Sequence, residues 1–237
     1  MSGESQHRRV GILGGTFDPI HRGHLDVARV AHDVLALTEV WLVPSRVPPH
    51  RPVQPVASPF HRFAMVALAA ATEPDAAWLI ACDLELSREG PSYTAATLQF
   101  VAESGCSPTQ IFFLTGADAF AEIATWRDYP VLLDRAHFAV ISRPGFPAPA
   151  LRERLPALAP RMIDSHREAD VPPEPSILLV DARTADVSST EVRHRLASGQ
   201  PLDGRVPAAV ERHARRHHLY SAAAARSAAA SHLHEDS

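Results

Sequence analysis

Short apolar runs alternate along the chain with longer stretches of helical periodicity. Between the runs, apolar residues recur at helical spacing, as they do from His24 to about Leu37. Runs rich in Val, Ile and Leu occur at 10–13, 40–43, 78–81, 111–114, 138–141 and 177–180. Strands alternating with crossover helices are typical of a parallel sheet. The pattern predicts an α/β fold: a single Rossmann-like, doubly wound domain with a mainly parallel sheet and helices on both faces.

Start and stop signals indicate where further helices begin. Ser58 and Pro59 are suited to the N-cap and the first helical position. Ser188 and Glu191 have the Ser-x-x-Glu spacing of a capping box. Together with the periodicity, these signals predict helices at about 59–72, 93–103, 188–197 and 208–217.

Three stretches predict little regular structure. Residues 44–59 contain six prolines, which predicts a rigid loop. Residues 146–175 are also rich in proline, and we expect a loop with some helix there. From Ser221 onward, Ala, Ser and His follow no core-facing pattern, so a disordered tail is expected. The predicted division is one domain at 8–220 and a tail at 221–237.

Composition excludes several classes of protein. The chain has 237 residues, 46% of them apolar and 21% charged, as in globular proteins. No run approaches the roughly 18–20 apolar residues of a membrane span, and the first residues lack an apolar signal core. Cys82 and Cys106 lie far apart and form no C-x-x-C pair. We therefore expect a cytoplasmic protein.

The basic residues narrow the chemistry further. All 23 are arginine, which excludes a Walker A lysine, a Schiff-base lysine and a lysyl-adenylate. The net charge of −4 argues against a nucleic-acid binder. The C-terminal histidines suggest either a solvated helix end with its tail or a metal site, and the first is favoured: His213, His217, His218, His232 and His234.

The first predicted strand is followed by a segment suited to phosphate. Gly14 and Gly15 allow close backbone approach, and the next helix offers N–H groups and a positive dipole end. The Gly-x-Gly-x-x-Gly fingerprint of dinucleotide-binding proteins is absent. Two imidazoles, His21 and His24, stand near the mouth of this turn. A metal site there would need a third ligand, and none is evident nearby.

Two segments resemble the signatures of a known superfamily. Gly-Gly-Thr-Phe-Asp-Pro-Ile-His-Arg-Gly-His, at 14–24, resembles the first signature of the class I tRNA synthetase-like nucleotidyltransferases, in the His-x-Gly-His form of adenylyltransferases. Ser-Ser-Thr-Glu-Val-Arg, at 188–193, is similar to their second signature. Read physically, it is a second helix start with hydroxyl groups and an arginine, able to clamp phosphate. Taken alone, Ser188 and Glu191 would indicate only a capping box.

The middle of the chain resembles one group within that superfamily. Segments 48–51, 91–94, 115–118 and 142–145, together with Trp126, are similar to those of bacterial nicotinate mononucleotide adenylyltransferases. The resemblance covers about residues 8–220. It departs in two places, since many relatives have Asp where Ala96 stands and Lys where Arg51 stands.

This resemblance implies an activity. The enzyme would transfer the adenylyl group of ATP to nicotinate mononucleotide, giving nicotinate adenine dinucleotide and pyrophosphate in NAD biosynthesis. The attack would be direct and in line, without a covalent enzyme intermediate, and Mg²⁺ would be held mainly by phosphates and water. The alternatives are an enzyme that uses nicotinamide mononucleotide or both mononucleotides, and a nucleotide-binding sensor without turnover. No nucleic-acid or membrane partner is expected.

The resemblance also assigns candidate site residues. The catalytic candidates are His21, His24 and Arg193. Those for ATP and its phosphates are Gly14, Gly15, Thr16, Phe17, Asp18, Gly23, Ser188, Ser189 and Thr190. Those for nicotinate mononucleotide are Arg51, Tyr93, Thr94, Asp118, Trp126, Arg127 and Arg143, with the nicotinate ring stacked near Trp126 and its carboxylate met by N–H groups around Thr94 and Arg127.

Several of these residues also have an ordinary structural interpretation. Trp126 would then be a core aromatic residue, and Tyr93 and Thr94 a plain helix start. Arg51 and Arg143 would be surface arginines. Two aspartates remain open at this point. Asp18 either contacts substrate or orients the loop, and Asp118 is either an N-cap or a contact of the adenosine ribose or the mononucleotide.

Overall fold

The computed structural model describes residues 8–48 and 54–221. Arg51, His232, His234 and the predicted tail from residue 222 onward lie outside the described residues. The strands are β1 (Val10–Gly15), β2 (Glu39–Pro44), β3 (Leu79–Ala81), β4 (Ile111–Gly116), β5 (His137–Ile141), β6 (Met162–Asp164) and β7 (Ile177–Val180). The helices are α1 (Arg22–Leu35), α2 (Pro59–Thr72), α3 (Thr94–Glu103), α4 (Ala117–Phe120), α5 (Leu151–Arg154), α6 (Ser189–Ala197) and α7 (Ala208–Arg216). Within these ranges no helix is long and apolar enough to cross a membrane.

The strands form one sheet with a reversal in its order. In the described residues the sheet has seven strands, all parallel, in the order β3-β2-β1-β4-β5-β7-β6. The chain runs outward from β1 to β3 and then returns to place β4 on the other side of β1. Loops that follow β1 and β4 therefore leave the sheet in opposite directions. Such a switch point opens a crevice at the carboxyl ends of the strands, where α/β proteins bind ligands.

Alternate strand residues supply two separate cores. In β4, Phe112 and Leu114 face the core formed with α1, α2, α6 and α7. Ile111 and Phe113 face the opposite core, formed with α3, α4 and α5. Because both faces are covered, the strands read as continuous apolar runs. The predicted doubly wound α/β class is confirmed, with a sheet that is entirely parallel in the described residues.

Helix α2 matches its prediction and α1 does not. Ser58 accepts a hydrogen bond from the N–H of His61, and α2 runs over the predicted 59–72. Helix α1 begins at Arg22, two residues before the predicted start. The reason is an unusual cap, in which the Nδ1 atom of His24 accepts a hydrogen bond from the backbone N–H of His21 at 3.2 Å.

Two further predictions need correction. Strand β6 lies within 146–175, where we expected a loop with some helix. The strand was not predicted because three residues at the sheet edge give no periodic signal. The capping box of α6 is only half formed. Ser188 accepts from the N–H of Glu191 at 3.1 Å. The Glu191 carboxylate instead binds Arg195 at 3.0 Å and Arg205 at 2.9 Å, since two guanidinium partners outweigh one N–H group.

Candidate active site

The crevice between β1 and β4 contains a cavity of about 530 Å³. It holds residues of both predicted signatures and of the middle segments. The predicted site residues that line it are Gly14, Gly15, Thr16, Phe17, His24, Tyr93, Thr94, Asp118, Trp126, Arg127, Arg143 and Ser189. The fold thus brings together residues from positions 14 to 189.

One end of the cavity is formed by the loop after β1. Phe17 has a left-handed backbone, with φ of 49°, and its ring is buried. The ring meets the His24 ring edge-on, with centroids 5.0 Å apart. A Cβ on Gly23 would come within 3.1 Å of the carbonyl oxygen of Ala185, so the start of α1 packs closely against a neighbouring loop. The N-terminus of α1 therefore faces the cavity through His24.

The two signature histidines occupy different environments. His24 lines the cavity, whereas His21 is 2% exposed and lies behind it. Their ring centroids are 3.7 Å apart. Burial, and to a lesser degree the charge of Arg143, lowers the pKa of His21 to about 3. His21 is therefore neutral at physiological pH and contributes no positive charge.

Asp18 is turned away from the cavity into the protein. Its carboxylate is 3% exposed and accepts hydrogen bonds from the N–H groups of Val56 at 2.8 Å and Ala57 at 3.1 Å. The Tyr220 hydroxyl donates to the same carboxylate at 2.8 Å. Of the two interpretations left open, the geometry favours a residue that orients the loop.

The second signature lies beside the first. The Ser189 hydroxyl donates to the carbonyl oxygen of Pro19 at 3.0 Å. Arg193 donates from Nη1 to the carbonyl oxygen of Asp18 at 2.7 Å and from Nη2 to Thr190 Oγ1 at 3.2 Å. The start of α6, capped by Ser188, thus packs against the loop after β1. Two helix N-termini converge here, which suits an anionic ligand.

An aromatic wall forms the other end of the cavity. Trp126 meets Phe113 edge-on, with centroids 5.8 Å apart. The guanidinium carbon of Arg127 lies 4.7 Å from the centre of the Tyr93 ring. Helix α3 begins at Thr94, so its N-terminal end borders the same space. Trp126 lines the cavity and also packs on core residues. Its position therefore suits both a ligand-binding residue and a core aromatic residue.

Asp118 and Arg143 are held close to Gly116. A Cβ at Gly116 would collide with the Asp118 carboxylate and with the Arg143 side chain, whose nearest atom would be 2.7 Å away. A side chain at Gly116 would force these two flexible side chains at the end of β4 to shift. The N-cap of α4 is Gly116, so Asp118, which lies in the first turn, is not the N-cap. An acidic and a basic side chain therefore face one region of the cavity.

Other polar residues of the cavity were not predicted from the sequence. The additional polar lining residues are Ser45, Glu85, Ser92, Thr115, Glu122 and Thr125. Glu85 accepts from the Thr97 hydroxyl at 2.5 Å, and burial raises the pKa of its carboxyl group. Ser92 accepts from the N–H of Arg46 at 2.9 Å. Ser92 and Thr115 lie in segments 91–94 and 115–118, which resemble the family, but neither was a candidate site residue. The other four residues belong to no recognised spacing.

Two of the C-terminal histidines, His213 and His217, form a cluster with His61. His213 and His217 pack against His61 of α2, with ring centroids 5.3 Å and 5.0 Å from it. In the described part of the chain, no group of three or more His, Cys, Asp or Glu side chains is arranged to hold a metal ion.

Comparison with known proteins assigns the chain to a family. The model of the cytidylyltransferase-like family matches residues 12–195, so the chain belongs to this family of nucleotidyltransferases. A probable nicotinate-nucleotide adenylyltransferase of Roseiflexus sp. is 38% identical over 213 residues, which cover 89% of this chain and 97% of the relative. One of Moorella thermoacetica is 40% identical over 213 residues, covering 90% and 91%. Within the family, the chain is thus a member of the nicotinate-nucleotide adenylyltransferase group.

Solved structures support the fold. The Plasmodium falciparum nicotinic acid mononucleotide adenylyltransferase complexed with NaAD aligns with a TM-score of 0.65 at 18% identity, over 90% of this chain and 98% of that one. A putative nicotinate-nucleotide adenylyltransferase of Vibrio parahaemolyticus aligns with a TM-score of 0.59 at 17% identity, over 91% and 96%. At these identities the likeness concerns the architecture alone.

Proposed function

We propose that this chain transfers the adenylyl group of ATP to nicotinate mononucleotide, giving nicotinate adenine dinucleotide and pyrophosphate in NAD biosynthesis. The observation that carries the proposal is one continuous cavity that joins the phosphate-suited loop to the aromatic wall. An adenylyltransferase must hold the α-phosphate of ATP and the 5′-phosphate of the mononucleotide next to each other in one such space. The names of the bacterial relatives support the same pair of substrates.

The reaction needs little from the protein in covalent chemistry. A 5′-phosphate oxygen of the mononucleotide forms a bond to the α-phosphorus of ATP. The bond from that phosphorus to the oxygen bridging to the β-phosphorus breaks, and pyrophosphate leaves with the electron pair. Because a phosphate is already an anionic nucleophile, no side-chain nucleophile is required. Catalysis then rests on positioning and on stabilising charge.

We assign the stabilisation of that charge to two side chains: His24, which lines the cavity, and Arg193, which is not among the described lining residues. His24, at the start of α1, would contact triphosphate oxygens. Arg193 would hold the leaving pyrophosphate together with Ser189 and Thr190. A guanidinium carries five N–H donors, more than its bonds to Asp18 and Thr190 use. His21 would act through His24, whose ring it supports from behind.

The mononucleotide would occupy the aromatic end of the cavity. The pyridine ring would stack near Trp126, and its carboxylate would lie at the N-terminus of α3, at Thr94. Main-chain N–H groups and the dipole of a helix start favour a carboxylate over a neutral amide. Asp118 and Arg143 would contact the ribose and the phosphate.

Magnesium would enter with ATP. The residues fit this mode, because the Asp18 carboxylate of the phosphate loop is already bonded to Val56, Ala57 and Tyr220. Mg²⁺ would keep most of its waters and neutralise charge on the triphosphate. We also place the reaction in the cytoplasm, where the free thiols of Cys82 and Cys106 are typical.

Pyrophosphate release tests the proposal directly. The protein is incubated with ATP and Mg²⁺ plus nicotinate mononucleotide, nicotinamide mononucleotide or phosphopantetheine at equal concentrations. We expect release with the acid to exceed release with the amide by at least about tenfold. Preference for the amide would retain the adenylyl transfer and overturn the assigned specificity. No release from folded protein with any of them would overturn the proposed function.

A further inference from the structure

Three buried polar side chains meet behind the phosphate loop. Asp18, Arg62 and Tyr220, here called the Asp18 cluster, are 3%, 0% and 3% exposed. They come from the loop after β1, from α2 and from the segment after α7. None of them lines the cavity in the described part of the chain. Burying polar groups is costly unless they are well bonded, so their contacts carry information.

The Asp18 carboxylate connects the loop after β1 to Tyr220 and to Val56 and Ala57 of the proline-rich loop. It accepts from the N–H groups of Val56 and Ala57 at 2.8 Å and 3.1 Å. The Tyr220 hydroxyl reaches the Oδ1 atom at 2.8 Å, across 202 positions of sequence. Burial, and then the nearby carboxylate, raises the pKa of Tyr220 well above its ordinary range, so its hydroxyl group keeps its proton.

Arg62 also connects the phosphate loop to the proline-rich loop. Its Nη1 atom donates to the carbonyl oxygen of Thr16 at 2.7 Å. Its Nε and Nη2 atoms donate to the carbonyl oxygens of Ala57 at 3.2 Å and Arg46 at 3.3 Å. One guanidinium group therefore ties the phosphate loop to both described parts of the proline-rich loop, 44–48 and 54–59.

Residues 45–48, which Arg62 contacts at Arg46, border the mononucleotide end of the cavity. Ser45 and Pro48 line the cavity. The N–H of Arg46 donates to the Ser92 hydroxyl, and the N–H of Ser92 donates to the carbonyl oxygen of Val47 at 3.0 Å. A shift of the segment would therefore be passed to the turn that precedes Thr94.

We propose that Tyr220 is a positioning residue, whose hydroxyl group acts through Asp18 to hold Val56 and Ala57 against the phosphate loop. Because Arg62 links Ala57 to Arg46, this hold also shapes the mononucleotide end of the cavity. The part of this inference that concerns substrate rests on the proposed function. Tyr220 contacts no reacting atom. Its effect is on the affinity for the mononucleotide rather than on the chemical step.

Tyr220→Phe removes the hydroxyl group and keeps the ring. We expect KM for nicotinate mononucleotide to rise about threefold to tenfold, with kcat and KM for ATP within about twofold of wild type. The matched control is Val210→Ala, because Val210 is a buried α7 residue of the core that also contains Tyr220, and its apolar side chain makes no hydrogen bond to Asp18. This control is expected to lower Tm and to leave both KM values unchanged.

A second measurement does not depend on turnover. Hydrogen exchange reports the backbone N–H groups of Val56 and Ala57. We expect their exchange to accelerate at least about fivefold in Tyr220→Phe and to match wild type in Val210→Ala. If wild type released no pyrophosphate but the exchange changed as expected, the proposed function would fail and the tether would stand.

Two outcomes would overturn the inference. Unchanged exchange at Val56 and Ala57 in folded Tyr220→Phe would show that the hydroxyl group does not hold the segment. An equal rise in KM in Val210→Ala would show that lost stability, and not lost positioning, causes the effect.

Discussion

The guanidinium group of Arg193 donates a hydrogen bond to the backbone carbonyl oxygen of Asp18 at 2.7 Å, and so joins the two phosphate-suited helix starts. The residues are 175 positions apart in sequence. Because a guanidinium group is planar and permanently charged, this bond also fixes the direction in which its remaining donors point.

Replacement of Arg193 tests the second helix start. Arg193→Ala should lower kcat/KM at least about tenfold, because a charge-assisted hydrogen bond to phosphate is worth roughly 1.5–3 kcal/mol. Steady-state kinetics and a thermal melt provide the measurement. Arg195→Ala is the matched control on the same helix, since Arg195 pairs with Glu191, and it should stay within about twofold of wild type. Unchanged kinetics in Arg193→Ala would remove this residue from the site.

Replacement of His24 should have the larger effect. Loss of a donor aimed at developing charge costs about 10²-fold or more in kcat. His24→Ala is therefore expected to fall further than Arg193→Ala when pyrophosphate release is measured. His32→Ala, on the same helix but stacked on Trp78, should retain activity. Full activity of His24→Ala would contradict the assignment of the whole phosphate end.

The aromatic wall can be tested independently of the phosphate end. Trp126→Ala should raise KM for nicotinate mononucleotide about tenfold, because stacking of a base on an aromatic side chain is worth roughly 1–3 kcal/mol. Trp126→Phe should recover part of this loss. KM for ATP should change less in both variants. A KM for the mononucleotide that stays at the wild-type value in Trp126→Ala would show that the ring binds elsewhere.

Stability should fall on acidification. Burial, and then the charge of Arg9, lowers the pKa of His137 from about 6.5 to about 4. Between these values the unfolded chain binds a proton that the folded chain does not, so the free energy of unfolding decreases as pH falls from about 6.5 towards 4, by up to about 1.4 kcal/mol per pH unit. The lowered pKa of His21 contributes to the same loss of stability as pH falls.

Denaturant titrations of wild type and His137→Phe at pH 7, 6 and 5 measure this dependence. The ring of His137 stacks on Phe112, so phenylalanine preserves the aromatic contact and removes the titrating group. We expect a shallower loss of stability with acid in the variant. Identical slopes for the two proteins would contradict the role of His137.

Local signals predicted some elements well and missed others. The start of helix α2 was predicted because Ser58 and Pro59 mark it within the sequence itself. The short strand β6 was missed because its pairing with β7 is supplied by the tertiary fold. The start of α1 was missed because imidazole groups, which are not common capping groups, close its first turn.

The candidate site divides in the same way. Short motifs indicated His24, Ser189 and Trp126, because each lies in a contiguous signature or in a recognisable sequence order. Nothing in the sequence indicated that Tyr220 would meet Asp18, since that contact depends on where α7 packs. The neutral state of His21 likewise depends on burial, which a motif does not specify.

The bond between Tyr220 and Asp18 has a consequence for biosynthesis of the chain. A ribosome makes the phosphate loop early and Tyr220 late, so the loop emerges long before the side chain that braces it. Strands and helices can pair as they leave the exit tunnel, but the brace must wait for the C-terminal segment. The pocket therefore reaches its final shape only after Tyr220 has been synthesised, and a nascent chain that stops short of Tyr220 holds the loop without its brace.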